Sequence, residues 1–178
     1  MHEWTASPAL RVHMECVAAC MGAYAERLAP ADRESWVVAG LLHDFDYERH
    51  PSRDEHPSVG VSHLRSLGLG EGILDAIMAH APYTGTPRAT PMATTLFAVD
   101  ELAGFVVACA KVRPNGIADL EPRSVRKKLK DKAFAAAVSR EDIAQGAAEL
   151  QRLTGLDDEA HTLVCIEAIR ARAGELGI

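Results

Sequence analysis

Apolar residues recur every three or four positions near the start of the chain, and this spacing predicts an amphipathic helix from Ser7-Pro8 to about residue 28. Proline suits the first turn of a helix, and Ala29-Pro30 then ends the run. The inward-facing stripe consists of Leu10, His13, Val17, Cys20, Met21, Tyr24 and Leu28. One histidine, His13, is therefore predicted to lie on the apolar face of this helix.

A second apolar helical run covers residues 36–46 and ends in an adjacent His43-Asp44 pair. Asp32 is a good N-cap for this helix. A carboxylate at the other end of the helix faces the negative end of the helix dipole, and a buried charge is costly unless it is paired or binds a metal. We therefore predict that His43 and Asp44 lie at a metal centre.

The rest of the pattern also predicts helices, joined by loops. The helices are predicted over residues 57–67, 71–81, 91–111 and 121–137, then one capped by Ser139, and a last one over 157–176. Residues 47–57 and 82–91 are polar, rich in turn residues and predicted to be loops. No segment has the alternation and β-branched enrichment of a strand. The prediction is an all-α single domain over residues 1–178, with about seven to nine helices, a core at about 8–111 and a C-terminal helical extension at about 121–176.

Composition narrows the class of protein. Apolar residues make up 48% and charged residues 25% of the 178 positions, which is typical of a globular protein. The net charge of −6 argues against binding a nucleic-acid polymer, although a small anionic substrate could still bind in a local basic pocket. The apolar window at residues 91–110 contains Asp100 and Glu101, which indicates a core helix and not a membrane span. The four cysteines form no CxxC pair and, with no secretory signal pattern, predict buried thiols in a cytoplasmic protein.

Six of the eight histidines fall between His13 and His80, and several lie on or at the ends of predicted helices. Asp100 stands in the middle of the most apolar helix, where an unpaired carboxylate would cost several kcal/mol. Three separate helices thus direct His13, the His43-Asp44 pair and Asp100 inwards. Nitrogen and carboxylate ligands of this kind suit Fe, Mn, Zn or Mg.

The ordered series of these residues resembles the HD-domain metal-dependent phosphohydrolases, an all-α superfamily named for the His-Asp doublet. The motifs that carry the resemblance are Leu-Leu-His43-Asp44-Phe-Asp-Tyr, His56-Pro-Ser-Val-Gly, Ile-Met-Ala-His80 and Phe-Ala-Val-Asp100-Glu-Leu-Ala-Gly-Phe. The segment from Ser124 to about residue 135 is similar to a branch of uncharacterised predicted HD hydrolases. The resemblance extends over nearly the whole chain.

The resemblance implies roles for individual residues. The first metal would be bound by His13, His43, Asp44 and Asp100. A second ion would use His56 and His80, with Asp44 as a bridge. The cofactor is then one or two divalent ions, drawn from Mn, Fe, Co, Zn, Ni and Mg.

The chemistry implied is attack of metal-activated water on a phosphate ester, with Asp44 and Asp46 as the catalytic residues. Asp46, two residues after the doublet, would act as a proton relay if it faces the pocket. Basic side chains would neutralise the phosphate, and the candidates are Arg11, Lys111, Arg113, Arg126, Lys127 and Lys130. Residues 123–132 hold six basic side chains in ten, which indicates either a solvated helix face or a clamp for substrate phosphate.

The sequence therefore predicts a hydrolase of a small phosphate ester, such as a nucleotide or related phosphomonoester. It predicts no membrane or nucleic-acid partner and leaves open whether the chain forms a homo-oligomer. Two other functions use the same residues: a di-iron oxygenase with the HD fold, and a non-catalytic sensor that binds a nucleotide.

Overall fold

The computed structural model describes residues 2–178, which form nine α-helices and no strand. The all-α prediction is therefore confirmed. The helices, labelled in chain order, are α1 Pro8–Leu28, α2 Arg33–Leu42, α3 Ser58–Ser66, α4 Glu71–His80, α5 Pro91–Lys111, α6 Pro122–Leu129, α7 Arg140–Thr154, α8 Asp158–Ala171 and α9 Ala173–Leu176. Short 3-10 turns at Pro30–Asp32 and Pro82–Thr84 precede α2 and follow α4.

The chain divides into two compact units, with the boundary inside α5, after Phe97. The first unit holds α1 to α4 and the start of α5, and the second holds the rest of α5 and α6 to α9. The single domain with a core over residues 8–111 stays a prediction. In the described part of the chain, α5 alone is long and apolar enough to cross a membrane, and 67% of its most apolar window is buried. Core helices of globular proteins can be equally long and apolar.

The first unit is built on the pairing of α1 with α2. Ser7 caps α1 by accepting a hydrogen bond from the backbone N–H of Leu10, and Pro8 fills the first turn. A neighbouring core contains Met14 of α1 together with Phe45, Val61, Leu64, Leu74 and Ile77. This core packs α3 and α4 against the segment that follows α2, so the ends of several helices meet near residues 43–46.

The second unit packs α8 against α6 and α7. Arg170 of α8 donates hydrogen bonds to the carbonyl oxygens of Ile117 and Leu120, at 3.1 and 2.7 Å, and so holds the loop between α5 and α6. The rings of Phe105 and Phe134 meet edge to face, with centroids 5.6 Å apart. All four cysteines of the chain are buried thiols, as predicted.

Two predicted helices have wrong boundaries. The helix predicted over residues 121–137 ends at Leu129, because the Asp131 carboxylate accepts hydrogen bonds from the backbone N–H groups of Ala133 and Phe134 and so stabilises turns. The helix predicted over 157–176 is divided between α8 and α9 at Arg172. There the backbone N–H of Arg172 bonds to the carbonyl oxygen of Ile169, three residues earlier, which tightens the last turn.

His161, which has no signal in the sequence pattern, is a core residue of the second unit and is only 1% exposed. Its Nε2 lies 3.2 Å from the carbonyl oxygen of Ala98. Burial lowers the pKa of His161 to about 4, although the hydrogen bond to Ala98 acts in the opposite direction. The His161 side chain is therefore neutral in the folded protein at pH values above this pKa.

This lowered pKa predicts a loss of stability in acid. Between pH 6.5 and about 4 the unfolded chain binds a proton at His161 that the folded protein excludes, so stability falls as the pH decreases through this window. The full loss is about 3 kcal/mol. Urea unfolding of His161→Gln at pH 7 and pH 4.5 should show a smaller difference than the wild type. The exposed His2→Gln is the control, and an unchanged pH dependence in His161→Gln would contradict the assignment.

Candidate metal centre

The start of α1 and the end of α2 lie close together because a glycine permits the contact. A Cβ atom added to Gly40 would come within 2.8 Å of the Cα atom of Ala18, so a larger residue would force the helices apart. This approach places the Nε2 atoms of His13 and His43 only 3.2 Å apart. Their rings meet edge to face, with centroids separated by 5.2 Å. Two helices thus present imidazole nitrogens to one point.

Asp44 lies between two pairs of histidines. Its Oδ2 is 3.8 Å from Nε2 of His13 and 3.5 Å from Nε2 of His43. Its Oδ1 is 3.3 Å from Nε2 of His56 and 3.4 Å from Nε2 of His80. Asp44, His56 and His80 are a group whose ligand atoms all lie within 4.8 Å of one another and could hold a metal ion. Each oxygen of one carboxylate therefore faces its own pair of imidazole nitrogens.

Backbone carbonyl groups fix the orientation of two of these rings. Nδ1 of His43 is 2.7 Å from the carbonyl oxygen of Gly40, and Nδ1 of His80 is 2.5 Å from that of Ile77. A carbonyl oxygen only accepts, so both Nδ1 atoms must carry the proton. In the neutral rings Nε2 then keeps its lone pair, which is the state required of a metal ligand.

A buried carboxylate orients the third ring. Oδ1 of Asp46 is 2.7 Å from Nδ1 of His56, and its Oδ2 accepts a hydrogen bond of 2.8 Å from the backbone N–H of Gly60. Asp46 is 0% exposed, so its oxygens are used inside the protein and do not face solvent. Asp46 therefore orients the His56 ring, and its role as a proton relay stays a prediction.

The electrostatics of the cluster suit a cation. Burial acts to raise the pKa of Asp44, but His43, His56 and His80 around it hold that pKa well below its usual range. Burial also acts to lower the pKa of His56, yet hydrogen bonds to Asp44 and Asp46 outweigh it and raise this pKa to about 9. The donor set and its charge balance therefore fit a divalent ion.

The cluster is only partly shielded from solvent. His43, His56 and His80 are buried, whereas the side chains of His13 and Asp44 are 22% and 18% exposed. Solvent therefore reaches Asp44 and His13, while the other three imidazoles are shielded from it.

Asp100, the fourth predicted ligand of the first metal, belongs to the second unit. It lies on the third turn of α5 with its side chain partly buried. Its role as a ligand stays a prediction.

The basic residues predicted to bind phosphate are spread over both units of the chain. Arg11 donates hydrogen bonds to the backbone carbonyl oxygens of Thr5 and His2, which fixes the segment before α1. Arg113 forms an ion pair of 2.7 Å with Asp119. The remaining candidates lie on the second unit, at the end of α5 or on and after α6: Lys111, Arg126, Lys127 and Lys130. Their roles in binding substrate stay predictions.

Sequence reasoning missed the residues that hold the ligands in place. Gly40 and Ile77 act through their carbonyl groups, and a carbonyl group carries no sequence signal. Gly60 lies within a motif quoted for the resemblance, but its contact with Asp46 depends on a chain reversal that periodicity does not reveal. Outside the cluster, the ring of His63 stacks on that of Trp4 with centroids 4.6 Å apart.

Comparison with family models identifies the class of protein. The model of the HD domain matches residues 11–104, which is more than half of the chain. The chain therefore belongs to the HD domain family. Comparison with curated proteins and with solved structures gives no match. HD domains are generally metal-dependent phosphohydrolases, and the His and Asp groups described above could hold a divalent metal.

Proposed function

We propose that this protein is a metal-dependent phosphohydrolase that acts on a small phosphate ester through metal-activated water. The observation that carries the proposal is the position of Asp44, whose two oxygens each face a separate pair of histidine Nε2 atoms at 3.3–3.8 Å. A structural ion pair would need one partner for this carboxylate. Four imidazoles around one carboxylate suit two bridged cations better.

His13 and His43 would hold one ion with Oδ2 of Asp44, and Asp100 remains the predicted further ligand of that ion. His56 and His80 would hold the second ion with Oδ1. Divalent ions bound there would lower the pKa of a bound water and polarise the phosphoryl group. The chain's own contribution is to aim the Nε2 atoms through hydrogen bonds at Nδ1 and to keep His13 and Asp44 partly exposed to solvent.

Asp46 has a separate role in this proposal. Because it accepts hydrogen bonds from both His56 and the Gly60 backbone, it holds the His56 ring in the tautomer that presents Nε2 to Asp44. Loss of such an outer partner typically weakens metal binding by about 10–100-fold. Asp46 is therefore proposed as a positioning residue and Asp44 as the residue that contacts the reacting centre.

Metal content tests the number of ions. Protein purified without added metal or chelator should contain two ions per chain, and the double variant His56→Ala, His80→Ala should contain one, because its first pair of histidines is intact. Elemental analysis gives both values. His50→Ala, outside the cluster and hydrogen-bonded to Glu55, is the matched control and should keep two ions. A single ion in the wild type would contradict a two-ion centre.

Activity tests the reaction itself. The metal-loaded protein should release phosphate from members of a panel of small phosphate esters, and a chelator should abolish this turnover. Folded, metal-loaded protein that hydrolyses none of them would contradict the proposal. Iron with an EPR signal, together with oxygen uptake on adding substrate, would instead identify the oxygenase reaction.

A further inference from the structure

Two tyrosines and an arginine lie beside the metal centre in the first unit. Tyr47 follows the His-Asp doublet by three residues, and its side chain is 46% exposed. Its ring meets the ring of His56 edge to face, with centroids 5.1 Å apart and an interplanar angle of 85°. A large aromatic ring at the edge of the cluster is therefore in contact with both a candidate ligand and solvent.

Tyr83 occupies the 3-10 turn that directly follows His80 and α4. It is 42% exposed, and the guanidinium carbon of Arg53 lies 5.2 Å from the centre of its ring. Burial raises the pKa of Tyr83, and the negative charge of Asp44 and the nearby Tyr47 add to this effect. Through Arg53, the Tyr83 ring contacts the loop between α2 and α3, which also carries Tyr47 and His56.

The exposure of these rings is unusual within this chain. The remaining tyrosine, Tyr24, is fully buried in the core. Arg53 has no carboxylate within ion-pair distance among residues 2–178, whereas Arg65 and Arg126 are each paired with a glutamate. Arg53 therefore covers one face of the Tyr83 ring without being drawn to an acidic partner, and the ring keeps an exposed surface.

The geometry points to a subsite for a flat aromatic group, formed by Tyr47 and Tyr83 beside the metal centre, with Arg53 as a positioning residue for the Tyr83 ring. This inference rests on the proposed phosphohydrolase function and adds the class of substrate: phosphate esters whose alcohol part carries an aromatic ring. The substrate ring would stack on the exposed tyrosine surfaces while its phosphate reaches Asp44 and His13. Offset or edge-to-face contacts between aromatic rings favour such a group over a saturated one of equal size.

A matched pair of substrates tests the subsite. Benzyl phosphate and cyclohexylmethyl phosphate both release a primary alcohol and differ in whether the ring is flat and aromatic. The wild-type metal-loaded protein should prefer benzyl phosphate by about fivefold in kcat/KM. Tyr83→Leu keeps apolar bulk but removes the ring, and it should bring this ratio close to one. Tyr83→Phe should keep the ratio, and Tyr47→Leu should lower it.

The ratio of the two kcat/KM values reports on the subsite and not on the hydrolysis step, because a change in the metal centre affects both substrates alike. Leu67→Ala, at an exposed apolar residue elsewhere in the first unit, is the control for surface substitution and should keep the wild-type ratio. A wild-type ratio near one, or a ratio unchanged in Tyr83→Leu and Tyr47→Leu, would overturn the inference while leaving the phosphohydrolase intact.

If no ester is hydrolysed, the proposed function fails separately, and the same two compounds then test the subsite by calorimetric binding to the metal-loaded protein. About fivefold tighter binding of benzyl phosphate would support the subsite. Equal binding of the two would overturn it.

The role of Arg53 has its own readout. Arg53→Met removes the charge above the Tyr83 ring and leaves the histidine cluster intact. We therefore expect KM for benzyl phosphate to rise about threefold while kcat stays unchanged. Arg27→Met, at an exposed arginine near the end of α1, is the matched control. A fall in kcat with unchanged KM would assign Arg53 to the chemistry and overturn its positioning role.

Discussion

Asp44→Asn should lower kcat/KM for a phosphate ester by about a thousandfold or more and should remove both metal ions. The carboxylate is the one group that faces both pairs of histidines, with Oδ1 near His56 and His80 and Oδ2 near His13 and His43. Asparagine keeps the shape of the side chain but loses its charge and offers one carbonyl oxygen in place of two. Removing a single electrostatic contributor from an active site already lowers the rate by about 10²–10³-fold.

The measurement pairs steady-state kinetics with elemental analysis of the same preparation. Asp54→Asn makes the same chemical change at an exposed position in the loop before His56, and it should keep both metal content and activity. Circular dichroism should show helix content equal to the wild type, since Asp44 lies outside the helices. Retention of both ions in Asp44→Asn would contradict the bridging role.

The sequence predicted the elements that carry the site because its signals are local. The cap at Ser7 and the apolar stripes of α1 and α4 each depend on neighbours within a few residues. The same local reasoning overextended α6, because the turn around Asp131 depends on a side chain that bonds its own backbone, and Arg140 also stabilises it through the carbonyl oxygens of Ala135 and Val138. Competition between helix and local side-chain bonds is not visible in periodicity.

The sequence proposed which residues form the site, but it could not predict how they are arranged. The resemblance proposed Asp44 as a bridge, and the structure adds that its two oxygens face different pairs of nitrogens. Asp46 was predicted to be a proton relay because it follows the doublet by two residues. Its complete burial and its bonds to His56 and Gly60 depend on the chain reversal between α2 and α3, which brings residues 14 positions apart into contact.

That reversal makes Gly60 a structural requirement of the metal centre. A Cβ atom at residue 60 would lie 2.6 Å from both Cγ and Oδ2 of Asp46 and 2.8 Å from Cε1 of Phe45. Both neighbours are buried, and Asp46 is held by two hydrogen bonds, so neither can move without cost. The absence of a side chain at this position therefore sets the place of the carboxylate that orients His56.

Gly60→Ala should accordingly destabilise the protein and weaken binding of the second metal together. Overpacking of this kind costs about 1–3 kcal/mol, which lowers Tm by roughly 2–12 °C in a chain of this size. Displacement of Asp46 should also weaken the ion at His56 and His80 by about 10–100-fold. Calorimetric melting and metal titration measure the two effects. Gly72→Ala is the matched control, because Gly72 lies in α4 with no atom within 4 Å of an added Cβ, and alanine there should hold or raise Tm. If Gly60→Ala melts like Gly72→Ala and binds both ions, then Asp46 does not position His56 through this contact.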